Sequence, residues 1–118
     1  MKKRIALIVV LCVAVISTWT VYSRITQARR DAAYRAAIAP LQTDLHVGMA
    51  ESEVRRYLDS RNLKYYPVRV AGSDGPTREI KVGEENSLIC EWDVYIALEF
   101  SSTDTLRKVH IRKIGTCL

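Results

Sequence analysis

The sequence has few of the residues from which catalytic and metal sites are usually recognised. Its 118 residues include three cysteines and two histidines, and neither His46 nor His110 belongs to a set with metal-ligand spacing. It contains no C-x-x-C pair, P-loop, dinucleotide-binding glycine pattern or G-x-S-x-G nucleophile motif. The sequence therefore predicts a protein that is not an enzyme, with no catalytic residue, cofactor site or metal site and no evident small-molecule substrate.

The carboxyl-terminal two thirds of the chain also lack an excess of positive charge. The formal net charge is +5, but from Pro40 onward eleven Lys and Arg residues face twelve Asp and Glu residues. The excess comes from basic residues on either side of an apolar run, namely Lys2, Lys3, Arg4, Arg24, Arg29, Arg30 and Arg35. Anionic lipid headgroups explain such flanks, so the charge predicts contact with a membrane and no binding of nucleic acid.

The apolar run from Ile5 to Tyr22 contains eighteen consecutive uncharged residues. As a helix it would be about 27 Å long, which just covers the hydrocarbon core of a bilayer. Residues 1–23 are therefore predicted to form a single membrane span that serves as anchor or signal-anchor, with Trp19 near its distal interface. The alternatives are a signal peptide cleaved after Ser23 and a lipoprotein processed at Cys12.

Charge alone leaves the orientation of this span open, because three basic residues precede it and four follow it closely. The very short amino-terminal tail and two cysteines that can pair, Cys90 and Cys117, both favour a domain outside the cytoplasm. The prediction is a single-pass protein of the bacterial inner membrane with a periplasmic carboxyl-terminal domain.

Two helices and four strands are predicted after the span. Residues 24–40 have a helical Ala and Arg pattern that Pro40 is expected to end, and residues 41–118 form a small domain. The segment 51–61 carries the apolar stripe of an amphipathic helix. Strands are predicted over 63–70, 78–82, 88–100 and 106–114, with turns at 71–76 and 83–86. The expected fold class is α+β, with two helices on a four-stranded antiparallel meander.

The first and third strands have defined faces in this prediction. In residues 63–70, Tyr66, Val68 and Val70 share the inward face, and Pro67 indicates an edge strand or a bulge. In residues 88–100, all even positions are apolar, while acids occur among the odd positions. The even positions are therefore predicted to form the buried face, from Leu88 through Cys90 and Trp92 to Phe100.

Two registers suit the hairpin that joins the last two strands. One places Leu98 opposite Val109, and on the same ladder it places Cys90 opposite Cys117, where they can form a disulfide. The other places Asp93 opposite Arg112 and leaves both cysteines unpaired. If the cysteines meet, a structural bridge is one reading and a thiol–disulfide redox pair is the other.

The stretch from Val47 to Val54, followed by Tyr57 and Leu58, resembles a short signature of small bacterial envelope proteins. It is similar to the SmpA/OmlA group, which assists outer-membrane protein assembly, and to folds related to β-lactamase inhibitor proteins. The resemblance covers about residues 44 to 118 and implies two helices against an antiparallel sheet. Two departures are Ala50, where the family has a capping Ser or Thr, and the lack of a convincing lipidation site.

Two functions follow as hypotheses. The first is a membrane-anchored envelope protein that works by protein–protein contact, as an assembly subunit, a scaffold or an inhibitor-type binding module. Its partner site is expected on the first hairpin and its turn, at Tyr65, Ser73 and Asp74, although an ordinary edge strand is the simpler explanation of this region. The second is an envelope enzyme or redox protein that uses Cys90 and Cys117.

Clustered acids offer a further catalytic reading, as general acid and base. Most of them fall on the solvent-facing positions of a strand, which is typical of a solvated sheet face. The members of this cluster are Glu84, Glu85, Glu91, Asp93 and Glu99.

Overall fold

The computed structural model describes residues 1–117, so Leu118, the last residue of the predicted domain, lies outside the described residues. The chain forms two helices and a four-stranded antiparallel sheet in the order β1-β2-β3-β4. The predicted α+β class and the meander are confirmed. The elements are α1 (Lys2–Asp44), α2 (Glu51–Ser60), β1 (Tyr66–Val68), β2 (Thr77–Asn86), β3 (Cys90–Phe100) and β4 (Leu106–Cys117).

Helix α1 contributes to two compact units, Met1–Ala33 and a second unit that begins at Tyr34. In the first unit the apolar side chains are exposed, and the helix is long and apolar enough to cross a membrane. The hydroxyls of Thr18 and Thr20 donate hydrogen bonds to the carbonyls of Ala14 and Ile16, both at 2.8 Å. Internal satisfaction of polar groups is what a helix surrounded by lipid requires.

The helix runs without a break past residues 23 and 40, the predicted boundaries of the juxtamembrane segment. The division of the chain into anchor, juxtamembrane helix and domain stays a prediction. The expectation that Pro40 ends the helix is wrong, because α1 continues to Asp44. Proline removes one hydrogen bond from a helix, but Leu41, beside it, is buried in the core with Ile38. Burial of this helix face compensates for the lost bond.

A single hydrophobic core lies between the helices and one face of the sheet. Helix α2 packs into it through Val54 and Leu58, both about 1% exposed. Asp44 joins the two helices, since it accepts a hydrogen bond from the Tyr57 hydroxyl at 2.5 Å, and this bond raises the pKa of Tyr57. The buried core residues are Ile38, Leu41, Leu45, Val54, Leu58, Ile80, Ile96, Leu98, Phe100 and Leu106.

The start of α2 is held by backbone contacts in place of a capping side chain. Ala50 makes no side-chain cap, but the N–H of Glu51 donates to the carbonyl of Asp104 at 2.8 Å. The N–H of Gly48 donates to the carbonyl of Leu106 at 2.8 Å. The loop before β4 therefore supplies acceptors that the sequence near Ala50 lacks.

Strand β2 is longer than predicted, and the turn expected at residues 83–86 is wrong. Those residues pair with the segment Glu91–Val94 of β3 after a bulge between Lys81 and Gly83. A Cβ at position 83 would lie 2.9 Å from Cε1 of Tyr34. Gly83 therefore permits the close approach of Tyr34 of α1 to the sheet. Glycine in a strand often marks such a close approach.

The faces predicted for the first strand are also wrong. Tyr66 pairs with Glu79 on the sheet face without helices, and its side chain is 54% exposed. Tyr65 is half-buried and packs against the core. Pro67 does lie in an edge strand, as predicted, because β1 is the outermost strand of the sheet.

The first of the two predicted registers of the β3–β4 hairpin is the one observed. Leu98 lies opposite Val109, and Cys90 lies opposite Cys117 with a disulfide and a Cα–Cα distance of 4.1 Å. The register shifts between Glu99 and Phe100, next to the turn of this hairpin and at the end opposite the disulfide. The bond joins residues 27 positions apart, for which loop-closure entropy gives a contribution of about 3 kcal/mol.

The alternative register is excluded, because Asp93 lies opposite Ile114. The predicted buried face of β3 is confirmed from Val94 to Phe100 but not before it, because Trp92 is 38% exposed and Leu88 is fully exposed.

Candidate functional site

The sheet face opposite the helices, which we call the outer face, contains one buried charged pair. Glu79 is 2% exposed, and its carboxylate accepts a hydrogen bond from Nη1 of Arg112 at 2.6 Å. Tyr66 lies beside Glu79 on β1, and Ala97, which is buried, lies opposite it on β3. A buried carboxylate requires such a partner, so the pair fixes the middle of the outer face.

A cleft of about 630 Å³ lies at the edge of the sheet. Its walls are β1, the loop that follows it and Thr77, the first residue of β2. The hydroxyl of Thr77 is buried and has no hydrogen-bond partner among the described residues. The wall of the cleft therefore includes one buried polar group, the Thr77 hydroxyl, that is not satisfied within the described chain.

The loop between β1 and β2 holds a defined shape at this cleft. The Ser73 hydroxyl donates to the carbonyl of Gly75 at 2.9 Å. Asp74 forms an ion pair with Arg107 of β4 at 3.1 Å. A Cβ on Gly75 would collide with the backbone of Phe100 and Ser101, so glycine lets the loop lie directly on the turn before β4.

The structure brings together two of the three residues predicted for a partner site. Ser73 and Asp74 both line the cleft. Tyr65 does not, because its ring lies under the guanidinium of Arg78, with Cζ 5.6 Å from the ring centroid. Arg78 in turn donates to Glu51 of α2 at 2.9 Å. Tyr65 thus belongs to the contact between α2 and the sheet.

The exposed aromatic of this region is Tyr66, which the sequence reading assigned to the core. A signal for the correct faces was present, since Leu63 and Tyr65 alternate and both pack against the core. The three-residue strand is too short for its own pattern to decide between the two faces.

Three of the five acids of the predicted cluster form ion pairs. Lys81 contacts Glu84 at 2.5 Å and Asp93 at 3.1 Å. The hydrogen bonds to Glu84 and then to Asp93 raise the pKa of Lys81. Glu85 contacts Lys113 at 3.3 Å. These contacts favour a solvated, charge-balanced sheet surface over a catalytic pair.

The histidines and cysteines of the described chain do not assemble into a metal-binding group or a free dithiol. Residues 1–117 contain no group of three His, Cys, Asp or Glu side chains that could hold a metal ion. His46 is exposed, and the Nδ1 of His110 is buried without a partner among those residues. Cys90 and Cys117 form the disulfide, while Cys12 is a free thiol in the first unit.

No family model, curated protein or solved structure matches this chain.

Proposed function

We propose that the protein is anchored in the bacterial inner membrane by its amino-terminal helix and acts by protein–protein contact through its periplasmic second unit. The observation that carries the proposal is the end of the sheet at β1, where a cleft shaped by the polar β1–β2 loop follows an exposed aromatic, Tyr66, in the chain. Aromatic side chains are enriched in protein interfaces because they bury a large area with few rotatable bonds. Loops on a rigid scaffold are frequent binding elements.

The open edge of β2 beyond Tyr66 supports a specific mode of contact. Strand β1 pairs only with Thr77, Arg78 and Glu79 of the ten-residue strand β2. In the described chain no strand pairs with residues 80–86 along that edge. An extended segment of a partner can add to such an edge, with main-chain hydrogen bonds for affinity and side-chain contacts, such as those with Tyr66, for specificity. The charged side chains of Lys81 and Glu84 limit unspecific pairing there.

Two further observations support the membrane and the compartment. The amino-terminal helix has the length and apolar composition of a span. The Cys90–Cys117 disulfide is a bond that persists in oxidising compartments such as the periplasm. The resemblance of residues 44 to 118 to the SmpA/OmlA group agrees with this setting, since its members place helices on an antiparallel sheet in the envelope.

Site-specific photocrosslinking in living cells tests the contact. A photoreactive phenylalanine derivative at position 66 is expected to yield a discrete covalent adduct after irradiation. The same group at position 56 on α2 is the matched control, because Arg56 is also exposed. Mass spectrometry of the adduct then identifies the partner.

Purification from detergent-solubilised membranes gives the complementary test. Replacing both Tyr66 and Asp74 by alanine is expected to lose the partner from the complex, while Arg56→Ala retains it. An unchanged complex with the double variant, or equal crosslinking from both positions, would remove the cleft as the contact surface.

A further inference from the structure

Two apolar side chains occupy the corners of the turn between β2 and β3. The N–H of Ser87 donates to the carbonyl of Cys90 at 2.7 Å, and the N–H of Cys90 donates to Oγ of Ser87 at 3.0 Å. Leu88 and Ile89 lie between them, where tight hairpin turns usually have Asn, Asp or Gly. Leu88 is 97% exposed and Ile89 is 66% exposed. Residues that contradict local turn preference without packing in the core point to a role outside the fold.

The turn is held firmly by the strands below it. Asn86 pairs with Glu91, so the β2–β3 ladder continues up to the turn. The disulfide of Cys90 joins the same end to β4. Trp92 lies over Gly115, where a Cβ would come within 2.5 Å of the indole ring. Leu88 and Ile89 are thus presented at the end of a rigid, three-stranded ribbon, with a half-exposed tryptophan beneath them.

The path of the chain indicates what this end of the second unit faces. The unit begins at Tyr34, which lies against Gly83, and Nζ of Lys113 is 5.6 Å from its ring centroid. Gly83 and Lys113 both pair with Val94, and the strands continue from there to the Leu88–Ile89 turn. The turn is therefore at the end of the unit where the chain connects to the amino-terminal segment.

The connection to the apolar segment is short. That segment ends at Tyr22, and residues 23–33 join it to the second unit. This stretch belongs to α1, and a helix of that length spans about 17 Å. The length of this connection alone limits how far the end of the second unit at Tyr34 can lie from the apolar segment.

The charges near the turn permit contact with lipid. The carboxylates of Glu84 and Asp93 are paired with Lys81, and that of Glu85 is paired with Lys113. The side chain of Glu91 is exposed next to the turn, and a zwitterionic lipid such as phosphatidylcholine, which has no net charge, does not repel it.

We propose that Leu88 and Ile89 insert into the interfacial region of the lipid bilayer, as a second membrane contact in addition to the amino-terminal helix. Trp92 then lies at the level of the headgroups, where tryptophan is enriched. Small apolar protrusions of this kind bind the boundary between headgroups and acyl chains. The inference rests on the membrane anchoring in the proposed function but is independent of any protein partner.

Fluorescence quenching in proteoliposomes tests the insertion with the full chain. The lipid is phosphatidylcholine with bromine near the top of its acyl chains, which quenches only tryptophans at that depth. In a chain with Trp19→Phe and Trp92→Phe, Leu88→Trp is expected to be strongly quenched. Ser102→Trp, in the turn at the opposite end of β3, is the matched control and is expected to keep its intensity.

The native Trp19, retained in the Trp92→Phe variant, separates the two possible failures. Quenching of Trp19 with no more quenching of Leu88→Trp than of Ser102→Trp would overturn the insertion and leave the anchor standing. If Trp19 itself is not quenched, the span is wrong and the insertion falls with it. Ile89→Trp serves as second reporter if the Leu88→Trp chain fails to form the Cys90–Cys117 disulfide.

Discussion

At the residue scale, the ion pairs of the second unit differ greatly in burial, and their energies should differ accordingly. The pair between Glu79 and Arg112 is buried on the side of its carboxylate, with side-chain exposures of 3% and 32%. The pair between Asp74 and Arg107 is exposed on both sides, at 75% and 55%. Desolvated charges that lose their partner are costly, whereas solvated pairs are worth little.

We expect Glu79→Gln to lower the free energy of unfolding by about 1 to 3 kcal/mol, because Arg112 keeps a partly buried charge without its carboxylate. The matched control, Asp74→Asn, is expected to cost less than about 0.5 kcal/mol. Urea unfolding of the full chain in detergent micelles, followed by tryptophan fluorescence, measures both. Equal losses in the two variants would contradict the assignment of Glu79 as the structural charge of the outer face.

At the element scale, α2 is joined to the sheet by a carboxylate whose protonation depends on folding. Glu51 accepts hydrogen bonds from Arg55 in the next helical turn at 2.7 Å and from Arg78 of β2 at 2.9 Å. The hydrogen bond from Arg55, opposed by desolvation and assisted by the charges of Arg55 and Arg78, lowers the pKa of Glu51 below 4.5. Because the folded pKa is lower, unfolding takes up a proton at acidic pH.

The stabilisation from Glu51 is therefore complete above about pH 4.5 and is lost as the pH falls through the lower pKa of the folded state. We expect Glu51→Gln to be less stable than the parent at pH 7, with a smaller loss of stability between pH 5 and pH 3. Glu53→Gln is the matched control, since Glu53 is exposed in the same first turn of α2. Urea midpoints across this pH range measure the effect, and parallel pH profiles for Glu51→Gln and the parent would refute it.

How far the sequence predicts each element depends on how many residues report on it. Strand β3 has a long alternation, so its core-facing half follows from the pattern alone. Two registers with β4 suited the sequence, and the one that pairs Cys90 with Cys117 is observed. The three residues of β1 leave its faces to be decided by pairing with β2, and Tyr65 and Tyr66 were exchanged. Gly83 illustrates a second limit, since the sequence does not distinguish a glycine in a turn from one that makes room for Tyr34.

The cleft shows the same limit at the level of the site. Its position on the first hairpin followed from turn residues such as Ser73 and Asp74, which are recognisable locally. The burial of Thr77 in its wall depends on pairing with β3, which is distant in sequence. The pair of Glu79 with Arg112 of β4 on the outer face depends on an equally distant contact. Long-range contacts of this kind leave no periodic signal in the chain.

At the scale of the whole molecule, the two units have opposite requirements. The residues of Met1–Ala33 expose apolar side chains on a helix long and apolar enough to cross a membrane. The second unit has its own core, a charge-balanced surface and a disulfide that needs an oxidising compartment. The proposed single span with the second unit in the periplasm satisfies both requirements. The basic residues on the two sides of the span do not decide this orientation.

Reporter fusions test that orientation directly. Alkaline phosphatase, which folds only outside the cytoplasm because it needs disulfides, is expected to be active when fused to the carboxyl terminus. Green fluorescent protein at the same position is expected to be dark, since it does not fluoresce when exported unfolded to the periplasm. Insertion of a second span after Ala33 should exchange the two results and controls for expression. A fluorescent, phosphatase-negative pattern in the parent would place the second unit in the cytoplasm, where the Cys90–Cys117 bond would be reduced.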